Sequence, residues 1–348
     1  MIEKSLKDIS WQIDEPSYRQ DPALSYSTLA KFEREGFGCL DTLFEKVESP
    51  SLLFGSCVDT LLTDGEKAFA DQYFISDMPK LKPSAEPVVK QLYEMFHNTY
   101  TNINDIPDSD IMPVISQNGY MANTNWGTAA KCKSIRTDGA AYYQTMFMAG
   151  EKRIVPQDMY NKVFACVRAL KDSPQTKQYF ADNDPFSDMD RCYQLKFKGN
   201  LGGIDYRCMA DLILVDHKNK MVYPCDLKTS SHREYEFPVS FLQWRYDIQA
   251  RLYWRLIRQA MDNDDYFKEF KLGEYRFIVV NNIDNPIPLI WNFRQTMASG
   301  EIQVGNKKLR DPEKIGEELT YYLNNRPQVP LGIESTKPNS IEHWFETN

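Results

Sequence analysis

The sequence lacks the features that mark several classes of protein. It has no apolar run near the about 20 residues that cross a bilayer, and its first residues form no signal-peptide core. Its seven cysteines form no Cys-x-x-Cys pair, and its four histidines show no zinc-site spacing. These absences predict a cytoplasmic protein that has reduced thiols and does not interact with membranes.

A phosphate loop and an excess of basic charge are also missing. No Gly-Lys-Ser/Thr follows Gly55 or Gly202-Gly203, so ATP is not implied. The formal net charge of −8 argues against a protein that coats nucleic acid through bulk basicity. It leaves open an enzyme that holds DNA in one local basic groove, because the shape of the field matters more there than total charge.

Helical periodicity dominates the first 190 residues, and strand-like alternation begins near residue 192. Helices are predicted after Ser25, over 51–62, around 88–96 and around 159–170. Strands are predicted over 193–197, 204–215, 221–229, 275–280 and 287–291, with a turn at Gly199-Asn200, one long helix over 238–261 and a last helix over 312–323. The expected fold is α/β (α+β), a small mixed sheet flanked by helices, with a helical N-terminal half.

Two acidic residues and a lysine fall on neighbouring predicted strands. Asp211 lies on one strand, and Asp226 and Lys228 lie two apart on the next, so these two share a face. Magnesium takes hard oxygen ligands, usually one or two carboxylates with waters and phosphate oxygens. Asp211, Asp226 and the Leu227 carbonyl are therefore predicted to bind Mg²⁺, and Lys228 to orient water or stabilise charge on phosphate.

The helix that follows carries two more polar side chains one turn apart. Gln249 and Tyr253 stand at i and i+4, so they lie on one helix face. An amide and a phenol can hydrogen-bond phosphate or the attacking water without competing for metal. They complete the predicted catalytic set with Asp211, Asp226 and Lys228.

The order Asp, then Asp-x-Lys, then Gln-x-x-x-Tyr resembles the RecB-like group of PD-(D/E)xK nucleases, and within it nuclease domains of the exonuclease VIII type from phage recombination systems. The likeness spans residues 20–295 and is most specific over 180–260. It extends to the segments 25–29, 55–59, 207–211 and 245–249.

That resemblance implies a restriction-endonuclease-like core and a Mg²⁺-dependent exonuclease (Mn²⁺ substituting) that works 5′→3′ on double-stranded DNA ends. It implies residues 1–348 as a single nuclease domain: a mainly helical part over 1–190, the catalytic sheet and Gln-x-x-x-Tyr helix over 191–295, and a C-terminal helix and tail over 296–348. DNA, a single-strand annealing protein and a ring-shaped homo-oligomer are the implied partners, in the host cytoplasm if a phage encodes the chain.

The sequence departs from the family pattern at two positions. Asp59 stands where the family usually has His, and it is predicted as a third acidic metal ligand. Gln194 stands where many members carry Glu, and it is assigned at most a supporting or DNA-contact role. No cysteine follows Cys225, so the iron–sulfur cluster of some relatives is not expected.

Basic and aromatic residues supply candidates for DNA contact. Trp126, Trp244 and Trp254 are candidates for stacking on a frayed base, although core packing is favoured for each. The predicted DNA-binding residues are Arg245, Arg251, Lys131, Lys133 and Arg136. Two alternatives stay open: an endonuclease or flap-type nuclease of the same fold, and a catalytically inactive DNA-binding protein.

Overall fold

A computed structural model describes residues 4–45, 47–184 and 187–331, so the predicted tail beyond residue 331 lies outside the described residues. The α-helices are α1 Glu15–Gln20, α2 Tyr26–Glu35, α3 Pro50–Thr63, α4 Gly65–Gln72, α5 Glu86–Phe96, α6 Asp108–Gln117, α7 Thr128–Ala149, α8 Gln157–Asp172, α9 Phe237–Trp244, α10 Tyr246–Asp262 and α11 Pro312–Asn325. The strands are β1 Tyr73–Ile75, β2 Arg153–Val155, β3 Met189–Leu201, β4 Ile204–Asp216, β5 Met221–Ser230, β6 Lys271–Leu272, β7 Tyr275–Asn281, β8 Leu289–Phe293, β9 Ile302–Val304 and β10 Lys307–Leu309.

Internal contacts divide the chain into two compact units. One consists of residues 1–55 and 165–348, and the other of residues 56–164. The smaller unit is helical and has its own core, in which α7 packs against α5 so closely that a Cβ on Gly139 would come within 2.5 Å of the Val89 side chain. The prediction that residues 1–348 act as one nuclease domain stays a prediction.

The larger unit is built on a six-stranded mixed sheet. Five strands follow the order β3-β4-β5-β7-β8, and β6 pairs with β5. The β3–β4, β4–β5 and β7–β8 pairs are antiparallel, whereas β5 pairs with β7 and β6 in parallel. The connection between the parallel strands β5 and β7 includes α9 and α10, as a parallel crossover requires. The predicted α/β fold with a mixed sheet and a helical N-terminal half is confirmed.

The main core lies on the face of the sheet that α10 covers. Apolar residues of α10 such as Ile248, Leu252 and Leu256 are buried with Phe197 of β3 and Phe277 of β7 in one cluster. α11 begins at Asp311, whose carboxylate accepts a hydrogen bond from the Glu313 amide at 2.9 Å, with Pro312 at the first helical position. No helix among the described residues is long and apolar enough to span a bilayer.

The predicted turn at Gly199-Asn200 is wrong. Both residues lie within β3, where Gly199 pairs with Tyr206 and Asn200 with Asp205. The chain reverses at Gly202-Gly203 instead, where φ is 59° and 87°. Two successive positive φ angles are what a two-residue hairpin turn matching the strand twist requires, and glycine adopts them without a Cβ clash.

The predicted single helix over 238–261 is also wrong, because it is interrupted at Arg245. α9 ends at Trp244 and α10 begins at Tyr246, with Arg245 between them in the left-handed region at φ 56° and ψ 46°. Tertiary contacts hold this conformation. The buried Arg245 guanidinium donates two hydrogen bonds to Asp247, at 2.9 and 3.1 Å, and a third at 2.6 Å to Glu33 of α2.

Candidate active site

The two predicted metal-binding aspartates meet where the β4–β5 ladder ends. The last backbone pair of this ladder joins Leu212 to Cys225. One step further, the Asp211 carboxylate accepts a 3.0 Å hydrogen bond from the Leu227 amide, in place of a backbone carbonyl. A side chain of β4 therefore lies directly against the Asp226–Lys228 segment of β5, as the sequence predicts.

Asp226 is the most deeply buried charged member of the set, with 1% of its side chain exposed. Its Oδ1 atom accepts a hydrogen bond from the Gln249 amide, which reaches it from α10. Its Oδ2 atom lies 2.6 Å from Nζ of Lys228, with which it forms an ion pair. Oε1 of Gln249 is buried, and no group in the described part of the chain donates a hydrogen bond to it.

Lys228 is held as a cation beside these oxygens. Burial by itself is the largest single influence and lowers the pKa of its ammonium group. The charges of Asp226, Tyr246, Asp211 and Tyr26 together outweigh it, so the net pKa lies well above its ordinary value. The ammonium also stands 4.7 Å from the ring centroid of Tyr246, a cation–π contact. Lys228 can therefore donate hydrogen bonds or stabilise negative charge, and it does not act as a base near neutral pH.

Two buried tyrosines lie near the carboxylates. Tyr253 follows Gln249 by one turn of α10, and burial raises the pKa of its phenol well above the ordinary value, with Asp226 adding to the rise. Tyr275, at the start of β7, is not among the residues that the sequence predicts for the site. Its ring centroid is 6.3 Å from that of Tyr253, and its hydroxyl is buried without a partner among the described residues.

Gln194 lies on β3, the strand next to β4, at the position opposite Asp211. The β3–β4 register pairs Tyr193 with Leu212 and Leu195 with Ala210, which places Gln194 opposite Asp211 between them. Its φ of 52° is in the left-handed region, an unusual conformation for a non-glycine residue inside a strand. Such backbone strain concentrates at functional sites, and here it adjoins a predicted metal ligand.

The oxygen atoms of this site match the chemistry of magnesium. Mg²⁺ is held by one or two carboxylates and keeps several waters, so Asp211 and Asp226 are sufficient protein ligands. Because the N–H and C=O of a strand residue face the same neighbour, the Leu227 carbonyl lies on the side of Asp211. The buried Oε1 of Gln249, to which no described group donates, supplies a further acceptor for a hydrated cation. The residues fit the ion.

The third predicted acidic ligand, Asp59, lies on α3 within the unit formed by residues 56–164. No group of three or more His, Cys, Asp or Glu side chains suited to a metal ion occurs in the described part of the chain. The role of Asp59 as a metal ligand stays a prediction.

The predicted DNA-binding residues occupy different surroundings. Arg245 and Arg251 are buried, and the Arg251 guanidinium bonds the Asp311 carboxylate at 2.7 Å and the carbonyls of Ala298 and Gly300. Their hydrogen-bonding capacity is directed at the protein. On α7, in the smaller unit, Arg136 pairs with Asp108 at 2.6 Å, whereas Lys131 is half-buried and Lys133 is exposed. Their contact with DNA stays a prediction.

Comparison with known proteins supplies little beyond this geometry. No protein-family model matches the chain, and no curated protein matches it. Among solved structures, it is similar to a protein from Eubacterium rectale named "putative exonuclease", with 13% sequence identity and a TM-score of 0.45 over 96% of this chain and 98% of that one. At this identity and TM-score the similarity assigns no activity to the chain.

Proposed function

We propose that this protein is a magnesium-dependent nuclease that hydrolyses phosphodiester bonds in DNA. The observation that carries the proposal is that side chains from two strands and one helix meet at Asp226 and Leu227: Asp211 contacts the Leu227 amide, and Lys228 and Gln249 contact the Asp226 carboxylate. Two carboxylates beside a permanent cation form a poor structural core, because each buried charge has a desolvation cost that the pairing only partly offsets. Metal-assisted chemistry on a phosphate explains why they stand together.

Each residue has a distinct task in this proposal. Bound Mg²⁺ supplies positive charge against phosphate oxygens and lowers the pKa of the attacking water. Asp211 and Asp226 hold the ion, and the Lys228 ammonium orients the water or stabilises the charge that develops on phosphate. The Gln249 amide holds Asp226 through Oδ1, and the Lys228 ammonium lies beside Oδ2.

The tyrosines act as protonated donors. Burial keeps the phenols of Tyr253 and Tyr275 neutral, since it raises the pKa of both well above the ordinary value. A neutral phenol donates one hydrogen bond, and both stand where the Asp226 charge acts on them. We assign them to carboxylate or water positioning.

The sequence resemblance supports finer proposals. We propose 5′→3′ exonuclease action on double-stranded ends, Mn²⁺ as a substitute ion, assembly into a ring, and an annealing protein that receives the single strand. Phage-type recombination is the corresponding process. These proposals rest on the motifs around residues 211–253 and on no measured distance.

Digestion of end-labelled linear DNA against closed circular DNA tests the function. With Mg²⁺ the wild-type protein degrades linear DNA from its ends, and with chelator it degrades neither form. Asp226→Asn and Lys228→Met abolish degradation. Asp205→Asn, an exposed aspartate on the same strand as Asp211, serves as the control and retains activity.

Other outcomes separate the alternatives. Cleavage of circular DNA favours an endonuclease. Tight binding of DNA without cleavage, in Mg²⁺ and in Mn²⁺, identifies an inactive binding protein. Unchanged activity in both Asp226→Asn and Lys228→Met rules out the assigned site.

A further inference from the structure

An exposed tryptophan stacks with an arginine at the end of α9. Trp244 is 41% exposed, and the Arg34 guanidinium carbon of α2 stands 5.1 Å from its ring centroid. Arg34 is itself exposed, and no carboxylate in the described ranges pairs with it. Core packing was the favoured prediction for Trp244, and its exposure contradicts that prediction. A large aromatic face and an unneutralised cation are both presented to solvent.

A continuous series of contacts joins this pair to the candidate active site. The Tyr26 hydroxyl donates a 2.8 Å hydrogen bond to the Trp244 carbonyl, and the Tyr26 ring lies 6.1 Å from that of Tyr246. Tyr246 is the ring that contacts the Lys228 ammonium at 4.7 Å. Burial raises the pKa of Tyr246, and both Lys228 and Arg34 act against that rise. Both cations therefore oppose the rise in the pKa of the same phenol, that of Tyr246.

The backbone fixes the position of Trp244. Its neighbour Arg245 is in the left-handed conformation, and the Arg245 guanidinium bonds Glu33, the residue directly before Arg34. The same salt bridge that interrupts the helix thus holds the end of α9 against α2 at Arg34. An ordinary solvent-exposed helix end does not need a strained residue fixed by a buried ion pair. Such strain is more typical of functional sites.

Another arginine–aromatic pair stands at the other end of the segment between β5 and α10. Nη1 of Arg233 donates a 2.6 Å hydrogen bond to the Tyr235 hydroxyl, and Tyr235 is 55% exposed. Arg233 follows the catalytic-site Lys228 by five positions. Arginine–aromatic pairs therefore flank both ends of the segment that leaves the site.

Exposed aromatic rings beside arginines suit unpaired nucleotides. Every base has a π-face that stacks on an aromatic ring, and the guanidinium contacts phosphate or stacks in turn. Bases inside a duplex already stack on each other, so only an unpaired base can use such a ring fully. Stacking of this kind contributes about 1–3 kcal/mol per base, or about 5- to 150-fold in affinity.

We propose that Trp244 and Arg34, which are linked through Tyr26 and Tyr246 to the Lys228 site, form a subsite that stacks an unpaired base of a DNA strand and contacts its phosphate. The proposal deepens the nuclease assignment, on which it rests for its role in cleavage. Binding at the subsite is measured separately from hydrolysis. The substrate that it selects is a duplex end with an unpaired overhang or a frayed terminus, in preference to a blunt, fully paired end.

Equilibrium binding in chelator, where no cleavage occurs, tests the subsite. The probes are one fluorescent duplex with a short single-stranded overhang and the same duplex with blunt ends. Trp244→Ala weakens binding of the overhang duplex about 5- to 150-fold and changes the blunt duplex little. Trp244→Phe, which keeps a smaller ring, falls between wild type and Trp244→Ala, and Arg34→Gln also weakens the overhang duplex.

The matched control is Phe164→Ala, because Phe164 is another exposed aromatic residue, 49% exposed, in the other unit. It leaves the difference between the two probes unchanged. Equal weakening of both probes by Trp244→Ala, or no weakening, overturns the subsite. If Trp244→Ala does not fold by circular dichroism, Trp244→Phe and Arg34→Gln decide by the same criterion. A wild type that prefers the overhang yet shows no magnesium-dependent cleavage disproves the nuclease assignment and keeps the subsite.

Discussion

Replacing Lys228 by methionine separates the structural and chemical roles of the buried ion pair. The side chain of Asp226 is 1% exposed and that of Lys228 is 19% exposed, with 2.6 Å between Nζ and Oδ2. Methionine keeps the apolar stem and removes the charge. Asp226 then retains only the Gln249 hydrogen bond in the protein interior. Removing one partner of a buried pair costs about 3–5 kcal/mol, and water reaching the partly exposed Lys228 position favours the lower end, about 3 kcal/mol.

Magnesium reverses part of this loss if Asp226 is a ligand. An ion present at about ten times its Kd stabilises the folded state by about 1.4 kcal/mol. Lys228→Met removes the ammonium that competes for Oδ2, so its gain exceeds the gain of the wild type. Asp226→Asn removes the carboxylate charge and is expected to gain less than the wild type.

Urea unfolding followed by circular dichroism, in chelator and in Mg²⁺, measures these differences. The expected order of magnesium gain is Lys228→Met, then wild type, then Asp226→Asn. Wild-type stability of Lys228→Met in chelator would show that the pair does not hold Asp226 as described. An equal magnesium gain in all three proteins would remove Asp226 from the metal site.

Three further predictions concern stability and thiol chemistry. Arg245→Ala leaves the fully buried Asp247 carboxylate without its cation and lowers the free energy of unfolding by about 3–5 kcal/mol. Arg245→Lys restores only part of that stability, because one ammonium cannot donate the bidentate pair of hydrogen bonds. Equal stability of the wild type and both variants in urea would contradict this. Gly316→Ala brings a Cβ within 2.0 Å of the Tyr206 hydroxyl and costs about 1–3 kcal/mol in the free energy of unfolding. Tyr206→Phe in the same chain relieves part of this cost, because ring carbon Cζ still stands 2.9 Å from the new Cβ. A double variant no more stable than Gly316→Ala would refute the clash. All seven cysteines are buried, and burial raises the pKa of Cys225 to about 12. A thiol reagent at mildly alkaline pH therefore modifies none of them in the folded protein and all seven after unfolding. Rapid reaction of the folded protein would disprove that burial.

Local patterns were reliable where one residue period governs a whole element. Apolar alternation over 204–215 and 221–229 predicts β4 and β5 nearly to their ends, because strands in a sheet alternate faces. The same alternation places Asp226 and Lys228 on one face. The failures occurred where the conformation depends on a distant partner. The turn predicted at Gly199-Asn200 occurs at Gly202-Gly203, because the β3–β4 register determines its position and the dipeptide preference does not.

Arg245 shows most directly what a local pattern omits. The apolar spacing over 238–261 continues across it, so sequence periodicity predicts one helix. A left-handed arginine is stable there because Glu33, more than 200 positions away in the chain, holds its guanidinium. Tyr275 was missed for a similar reason: only the packing of β7 beside α10 brings its hydroxyl near the carboxylates.

The sequence by itself determined the alternation of helix and strand, the shared face of Asp226 and Lys228, and the chemical type of the candidate site, because side-chain periodicity and ligand chemistry are local properties. Tertiary structure decided which site oxygens are buried, which arginines are bonded to protein and which tryptophans face solvent. Those properties arise from burial and from contacts between segments far apart in the chain, and residue spacing carries no information about them.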